Sequence, residues 1–328
     1  MYFTSLKECL FPCLLYSYSL TEDLWAALEE GSGEPVNMLM NSWTKQMGYP
    51  VISIQLKDNK LEFDQNFLLR TKSESLNVVE LLESSDVTGN HNQWIKLNVD
   101  QAGFYRVKYD DDLQLQARLR YAIEASSLSA TNRFGILDDS YALSMACKQS
   151  LSSLFTLMSA YRKELDYTVL SHLITVSFKV ATIMADAVPE LSTYLKQFFI
   201  NLFQSSAERL GWEPRQGESH LDAMLRREIL IALAIFGHDL MINEAVRRFR
   251  AFADDRNSPL LPPDSRKAAY VTVMQTVIAS NRWGYDALLK IYRETDPSQE
   301  KTRILGSLAS CPDPSIVLEV LNFVLSPE

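Results

Sequence analysis

The sequence predicts a mainly α protein: a small β-sandwich followed by a large α-helical, solenoid-like array of the HEAT/armadillo kind. Three observations predict it. Residues 50–110 alternate apolar and polar positions with the period of half-buried strands, and turn residues punctuate them. After Asp110 apolar residues recur at three- and four-residue spacing almost to the end, helix after helix, with short breaks. Helix-start signals recur, and Asp296-Pro297 and Asp313-Pro314 stand 17 residues apart, the length of one helix and a turn.

The expected domain limits are 1–20, an atypical N-terminal segment; 21–49, helical; 50–110, the sandwich; and 111–328, the array. Residues 9–20 are apolar but too few to span a membrane, and they lack a basic start and a small-residue cleavage site. No other stretch is expected to span one. Thr21 is placed as the cap of a helix with Glu22 and Asp23 in its first turn, followed by Leu24, Trp25 and Leu28. After Gly31-Ser-Gly33 the helical spacing resumes through Val36, Leu39, Met40 and Trp43, until Gly48-Tyr-Pro50.

Strands are expected over Val51–Leu56, around Leu61–Phe63, at Phe67-Leu-Leu and at Val78–Leu82. Residues 94–109 are read as a closing hairpin, with Ile95, Leu97 and Val99 on one face. Asp100-Gln101-Ala102-Gly103 supplies its turn, and Gly103 the positive φ. In the array, helices are expected over Arg118–Ala125, from a cap at Asn132, over Ser152–Arg162 and over Tyr167–Ala187. Others start at Pro189 and at Pro263-Asp264. Ser219-x-x-Asp222 reads as a capping box opening Leu221–Phe236.

A net charge of −9 and a pI near 5.1 argue against a nucleic-acid partner. Cys9, Cys13, Cys147 and Cys311 are too scattered for a disulfide framework and suit a reducing compartment. The four histidines, His91, His172, His220 and His238, form no H-E-x-x-H and no pair three or four apart, so no helical zinc site is expected. No nucleophile elbow or phosphate loop occurs. Ser219, His220 and Asp222 read as a cap rather than a triad. Asp110-Asp-Asp112 lacks the glycine and closing glutamate of a calcium loop. Asp138-Asp139 could pair as acid and base, but one of them is expected to be solvated. Arg247-Arg248-Phe249-Arg250 with Phe252, and Arg226-Arg227, read as solvated helix faces. On a concave array an arginine among them would meet a peptide carboxylate as a bidentate partner. No catalytic residue and no metal ligand is therefore expected, and the substrate-contacting residues are unknown.

Several blocks together resemble one family. They are Thr21-Glu-Asp-Leu-Trp25, Trp43-Thr-Lys-Gln-Met-Gly-Tyr-Pro50, Trp94-Ile-Lys-Leu-Asn98 and Gly103-Phe-Tyr-Arg-Val107. Asp138-Asp-Ser-Tyr-Ala-Leu143, Glu218-Ser-His-Leu221 with Leu225-Arg226, and Glu300-Lys301-x-x-Ile304-Leu305 follow in order. They are similar to the zinc aminopeptidase family of puromycin-sensitive aminopeptidase, from about Thr21 to Glu328. The resemblance implies the last helices of a catalytic domain, then the sandwich, then most of the array. The family's H-E-x-x-H, third-ligand glutamate and G-x-M-E-N motif are absent from this sequence, so no catalytic residue carries over.

What the resemblance implies is the non-catalytic part of an enzyme that removes N-terminal residues from peptides. The array would form the chamber that limits access, in the cytoplasm, and would be inactive alone. Zinc would belong to full-length members and no cofactor to this chain. Peptides, and the catalytic portion, would be its partners. Residues 1–20 do not resemble the family, and a truncated gene model or an alternative transcript start is the expectation there. The array is expected to be cut short after Leu325. The alternative is a stand-alone helical scaffold that binds peptides or proteins. A fragment is expected to expose Leu24, Trp25, Val36 and Trp43 and to associate, and a scaffold to be monodisperse.

Overall fold

A computed structural model describes residues 20–45, 48–57, 60–67, 82–83, 94–109 and 113–325. The chain divides into two compact units. One holds the described residues up to Gln116 together with Ala142–Ser150. The other holds Ala117–Tyr141 and the described residues from Leu151 onward.

The first unit begins with helices α1 (Thr21–Ser32) and α2 (Val36–Thr44), which pack together. The cap of α1 is Leu20, not Thr21. Asp23 reaches back to accept the Leu20 N–H at 2.8 Å, so the acid three positions on does the capping work. Gly33 ends α1 in the left-handed region at φ 74° and donates to the Glu29 carbonyl. Leu24, Trp25 and Val36 are half-buried rather than exposed, and the side chain of Trp43 lies outside the described residues. The exposed apolar side chains of this stretch are instead Leu20, Met38 and Leu39.

Four strands form one sheet in the order β3-β2-β1-β4: β1 (Pro50–Lys57), β2 (Lys60–Phe67), β3 (Leu82–Glu83) and β4 (Arg106–Tyr109). Strands β1 and β2 are an antiparallel pair in which Ile54 faces Phe63. The sandwich expectation also drew on residues 68–81 and 84–93, which lie outside the described residues, as do Cys9, Cys13, His91 and Asp110–Asp112.

Residues 94–109 are not a hairpin. Only β4 forms, and it pairs in parallel with β1, Ile52 beside Val107. The reason is in the loop. Asn98, Asp100 and Gln101 all take positive φ, which strand residues do not. The N–H groups of Leu97 and Asn98 donate to the hydroxyls of Tyr109 and Tyr105, both at 3.1 Å, so they are not available to a ladder. The Asn98 amide closes the loop, donating to the Tyr105 carbonyl at 2.8 Å and accepting the Gly103 N–H at 2.7 Å. Gly103 itself does not need positive φ. A Cβ there would stand 2.3 Å from Cε1 of Tyr105, so its role is space for that ring.

The helices of the array follow: α3 (Leu113–Glu124), α4 (Ala130–Met145), α5 (Leu151–Met158), α6 (Tyr167–Ala187), α7 (Ser192–Leu210), α8 (His220–Ile235), α9 (Asp239–Asp254), α10 (Pro263–Gln275), α11 (Trp283–Glu294), α12 (Ser298–Leu308) and α13 (Pro314–Leu325). Helix α4 starts before Asn132. Its cap is Ser129, whose hydroxyl accepts the Asn132 N–H. Asp166 caps α6 through the N–H groups of Thr168 and Val169. The Ser219–Asp222 capping box opens α8 as expected. Asp313 receives the Ser315 N–H ahead of Pro314, whereas α12 begins one residue after Pro297 without a side-chain cap.

From α6 onward the packing has a simple order. Helices α6, α8, α10 and α12 form one row, each against the next, while α7, α9 and α11 bridge consecutive members and α13 packs on α12. The row helices bury Leu173, Ile229, Tyr270 and Ile304 completely, and the bridging helices bury Phe199, Phe249 and Leu288 as fully. This is the stacked helical-hairpin pattern, in which each hairpin buries its apolar face on its neighbours. Aromatic rings fill one stretch: Phe199 lies 4.7 Å from Phe236, centroid to centroid, with Phe178 and Phe203 also against Phe236.

Helix α6 qualifies by length and composition as a possible bilayer span, contrary to the sequence reading. Its apolar side faces inward, however, with Val169, Leu170, Leu173, Ile174, Val176 and Val180 buried, and Lys179 lies over the Tyr141 ring.

Candidate functional site

Glutamates stand at the starts of three row helices, α6, α8 and α12, where the positive end of a helix favours them. Glu164, just ahead of α6, accepts both Nε and Nη2 of Arg133, at 2.6 and 3.0 Å. It also accepts the N–H groups of Leu165 and Asp166. Glu218, ahead of α8, grips Arg226 with both oxygens, one of them 2.7 Å from Nη1. The pair holds the Glu218 carboxyl below the usual carboxylate range. Arg226 is 1% exposed and also donates to the Leu210 carbonyl.

Arg226 is therefore an internal clamp and not a solvated face; only its neighbour Arg227 is half-exposed. Arg248 corrects the sequence reading in the same way. It is buried, bonded to Glu244, Glu213 and the Leu260 carbonyl, and lies over the Trp212 ring. Phe249 and Phe252 belong to the core. Arg247 and Arg250 are the exposed members of that run. A helix with this many charges can still bury an arginine on its apolar face, beside Ala245, Phe249 and Phe252, when the guanidinium finds carboxylates, a fact the local sequence does not display.

The remaining candidates separate. His172 places Nε2 3.2 Å from Asp138 and its ring against Phe134. His238 caps α9 by accepting the Met241 N–H, and His220 is exposed at the start of α8. Asp139 is buried while Asp138 is half-exposed. Ser219 and Asp222 are engaged with each other's backbone. Among the described residues, no group of three or more His, Cys, Asp or Glu could hold a metal ion, so these side chains do not fit zinc.

One open cleft of about 550 Å³ is lined where α9 and α11 end and α10 and α12 begin. Its charged residues are Arg256, Arg266, Arg303, Glu294, Asp296 and Glu300. Arg256 is satisfied: it donates to the carbonyls of Phe252 and Ala253 and, at 3.1 Å, to Glu294. Glu300 accepts the Tyr270 hydroxyl at 2.7 Å through one oxygen and Arg303 through the other. Burial, with the Glu300 carboxylate beside it, raises the Tyr270 phenol, so it stays a donor. Arg266 lies over the Phe252 ring at 4.6 Å and reaches Glu300 only at 3.7 Å. Its buried Nε has no acceptor. Sequence reasoning missed this set. The i,i+4 spacing of Arg266 and Tyr270 and the i,i+3 spacing of Glu300 and Arg303 were the available signals, but only folding brings the two helices together.

Residues 94–328 match the family model described as the ERAP1-like C-terminal domain. The chain is 59% identical over 347 aligned positions to aminopeptidase M1 of Arabidopsis thaliana, a match covering 95% of this chain and 39% of that protein. It is 54% identical to aminopeptidase M1-A of Oryza sativa subsp. japonica over 95% of this chain and 38% of that one. Puromycin-sensitive aminopeptidase of Caenorhabditis elegans is 27% identical, with 94% of this chain and 35% of the relative covered. The chain thus spans well under half the length of these relatives.

Proposed function

This chain belongs to the ERAP1-like C-terminal domain family of the aminopeptidases, and on that premise we propose that it is the non-catalytic helical part of a puromycin-sensitive-type zinc aminopeptidase. Such an enzyme removes N-terminal residues from peptides. The two rows of helices form a wall of the chamber around the metal and limit access to short peptides by shape. The chain's partners are peptides and the catalytic portion, and its location is the cytoplasm. By itself it hydrolyses nothing.

The observation that carries this reading is the combination of an extended two-row array with a sequence that contains no H-E-x-x-H. Zinc, where an aminopeptidase holds it, supplies Lewis-acid and water-activating chemistry. The described residues offer it no donor set, so no step of hydrolysis is assigned to them.

Zinc content and hydrolysis of aminoacyl-arylamides, measured together on the purified chain, test the proposal. No stoichiometric zinc and no turnover are expected. Turnover with stoichiometric zinc overturns it. The wall role is tested by adding the chain to a separately expressed catalytic portion and comparing kcat/KM for a short and a long peptide. The long peptide is expected to lose more. Equal effects on both would remove the access role.

A further inference from the structure

The geometry points to the cleft between the ends of α9 and α11 and the starts of α10 and α12 as a binding site for a carboxylate, held by Arg266. Other arginines near the starts of the row helices are paired with carboxylates. Arg133 has Glu164 in a two-pronged grip, and Arg226 has Glu218 in another. Arg266 has no such partner. A guanidinium carries five N–H donors in a rigid fork and suits a planar carboxylate. Arg266 has one ionic contact, to Glu300 at 3.7 Å, beyond normal hydrogen-bond length, and a buried Nε without an acceptor. Glu300 is turned to the Tyr270 hydroxyl and Arg303, and at 3.7 Å it stands too far from Arg266 for a hydrogen bond. Arg266 lines an open cleft while Phe252 fixes its guanidinium plane from beneath. The cleft volume lies within the range of small-molecule sites.

The charge of the lining selects the ligand. Three arginines face three carboxylates, Glu294, Asp296 and Glu300, so the cleft is close to neutral. A multiply charged phosphate would meet those carboxylates at close range. A single carboxylate meets the Arg266 guanidinium, whose buried Nε has no acceptor. The site takes a carboxylate monoanion, from a free acid or from an acidic side chain of a peptide. This inference does not rest on the chamber reading, since binding is measured without turnover.

The test follows arginine Nε–H signals by NMR, with thermal unfolding in parallel, on the full chain. The probes are acetate, a peptide with blocked ends and a single glutamate, and inorganic phosphate. A saturable shift of one Arg Nε–H signal and a rise in Tm with acetate or with the peptide are expected. Which of the two binds tighter distinguishes the sources, and binding of either supports the site. Arg266→Gln should abolish both effects. Arg266→Lys, which keeps the charge but loses the fork, should weaken binding by about tenfold or more. Arg256→Gln should keep binding, because Arg256 is already satisfied. Circular dichroism confirms that each variant is folded, and the lysine variant serves if the glutamine variant is not. No saturable shift, undiminished affinity in both Arg266 variants, or phosphate binding as tightly as the carboxylates would overturn the inference.

Discussion

Arg226 shows how much a single side chain can differ from its appearance in a sequence. Beside Arg227, on a helix, it reads as surface charge, yet it is almost fully enclosed with Glu218 as its counter-ion. Removing one member of a buried pair leaves the other without compensation. Arg226→Met should therefore lower stability by about 3–5 kcal/mol, and urea unfolding measures it. A loss below about 1 kcal/mol would place the pair in the class of surface bridges. Glu244 gives a pH signature. Hydrogen bonds from Arg247, and then Arg248, pull its carboxyl down to about 2 from an ordinary 4.5. A depressed carboxyl contributes stability above its unfolded pKa and loses it as pH falls through the folded one. The chain should lose stability between about pH 4.5 and 2, and Glu244→Gln should flatten that part of the curve. A variant with an unchanged acid limb would contradict this linkage.

Among the elements, the contact of α10 with α11 is the most sharply constrained by one residue. Gly284 sits in the first turn of α11, and a Cβ there would stand 2.4 Å from Cγ1 of Val273 and 3.1 Å from Cγ2 of Val277. Both valines are buried in the same core as Leu288 and Ile304 and cannot swing into solvent. Overpacking of this kind costs about 1–3 kcal/mol. Gly284→Ala should lower Tm, and Gly284→Ala with Val273→Ala should regain part of the loss. Failure of the second change to help would mean the helices shift apart instead. Helix signals were legible wherever they were local. Tyr167–Ala187 has the predicted limits, and the capping box at Ser219 forms as read. The hairpin at 94–109 was not legible, because its alternation is genuine but its N–H groups go to tyrosine hydroxyls up to twelve residues away.

For the molecule as a whole, the sequence pointed to both a mainly α fold and a family, and the family match bears out the recognition. The expectation of no turnover belongs at this scale, since it concerns what the whole chain contains rather than any one side chain. Helix α13 is apolar on more than one side: Ile316 and Val320 are buried, while Leu318, Leu321, Val324 and Leu325 are exposed. The cleft at Arg266 was illegible in advance. Its residues come from four helices and from positions 252 to 303, and no window of sequence contains them as a group.

The sequence by itself determined the periods, the helix starts and the change from strand to helix. These depend on hydrogen bonds and side-chain spacings within a few residues, which neighbours in the chain dictate. Only the tertiary structure decided that β4 lies parallel to β1, that Arg226 and Arg248 are enclosed, and that the Nε of Arg266 is buried without an acceptor. The choice of a strand partner, and the reach of a guanidinium to an acid eight to thirty-five residues away, follow from which faces pack together. Burial removes competing water and makes each such pairing count, and burial is a property of the assembled helices.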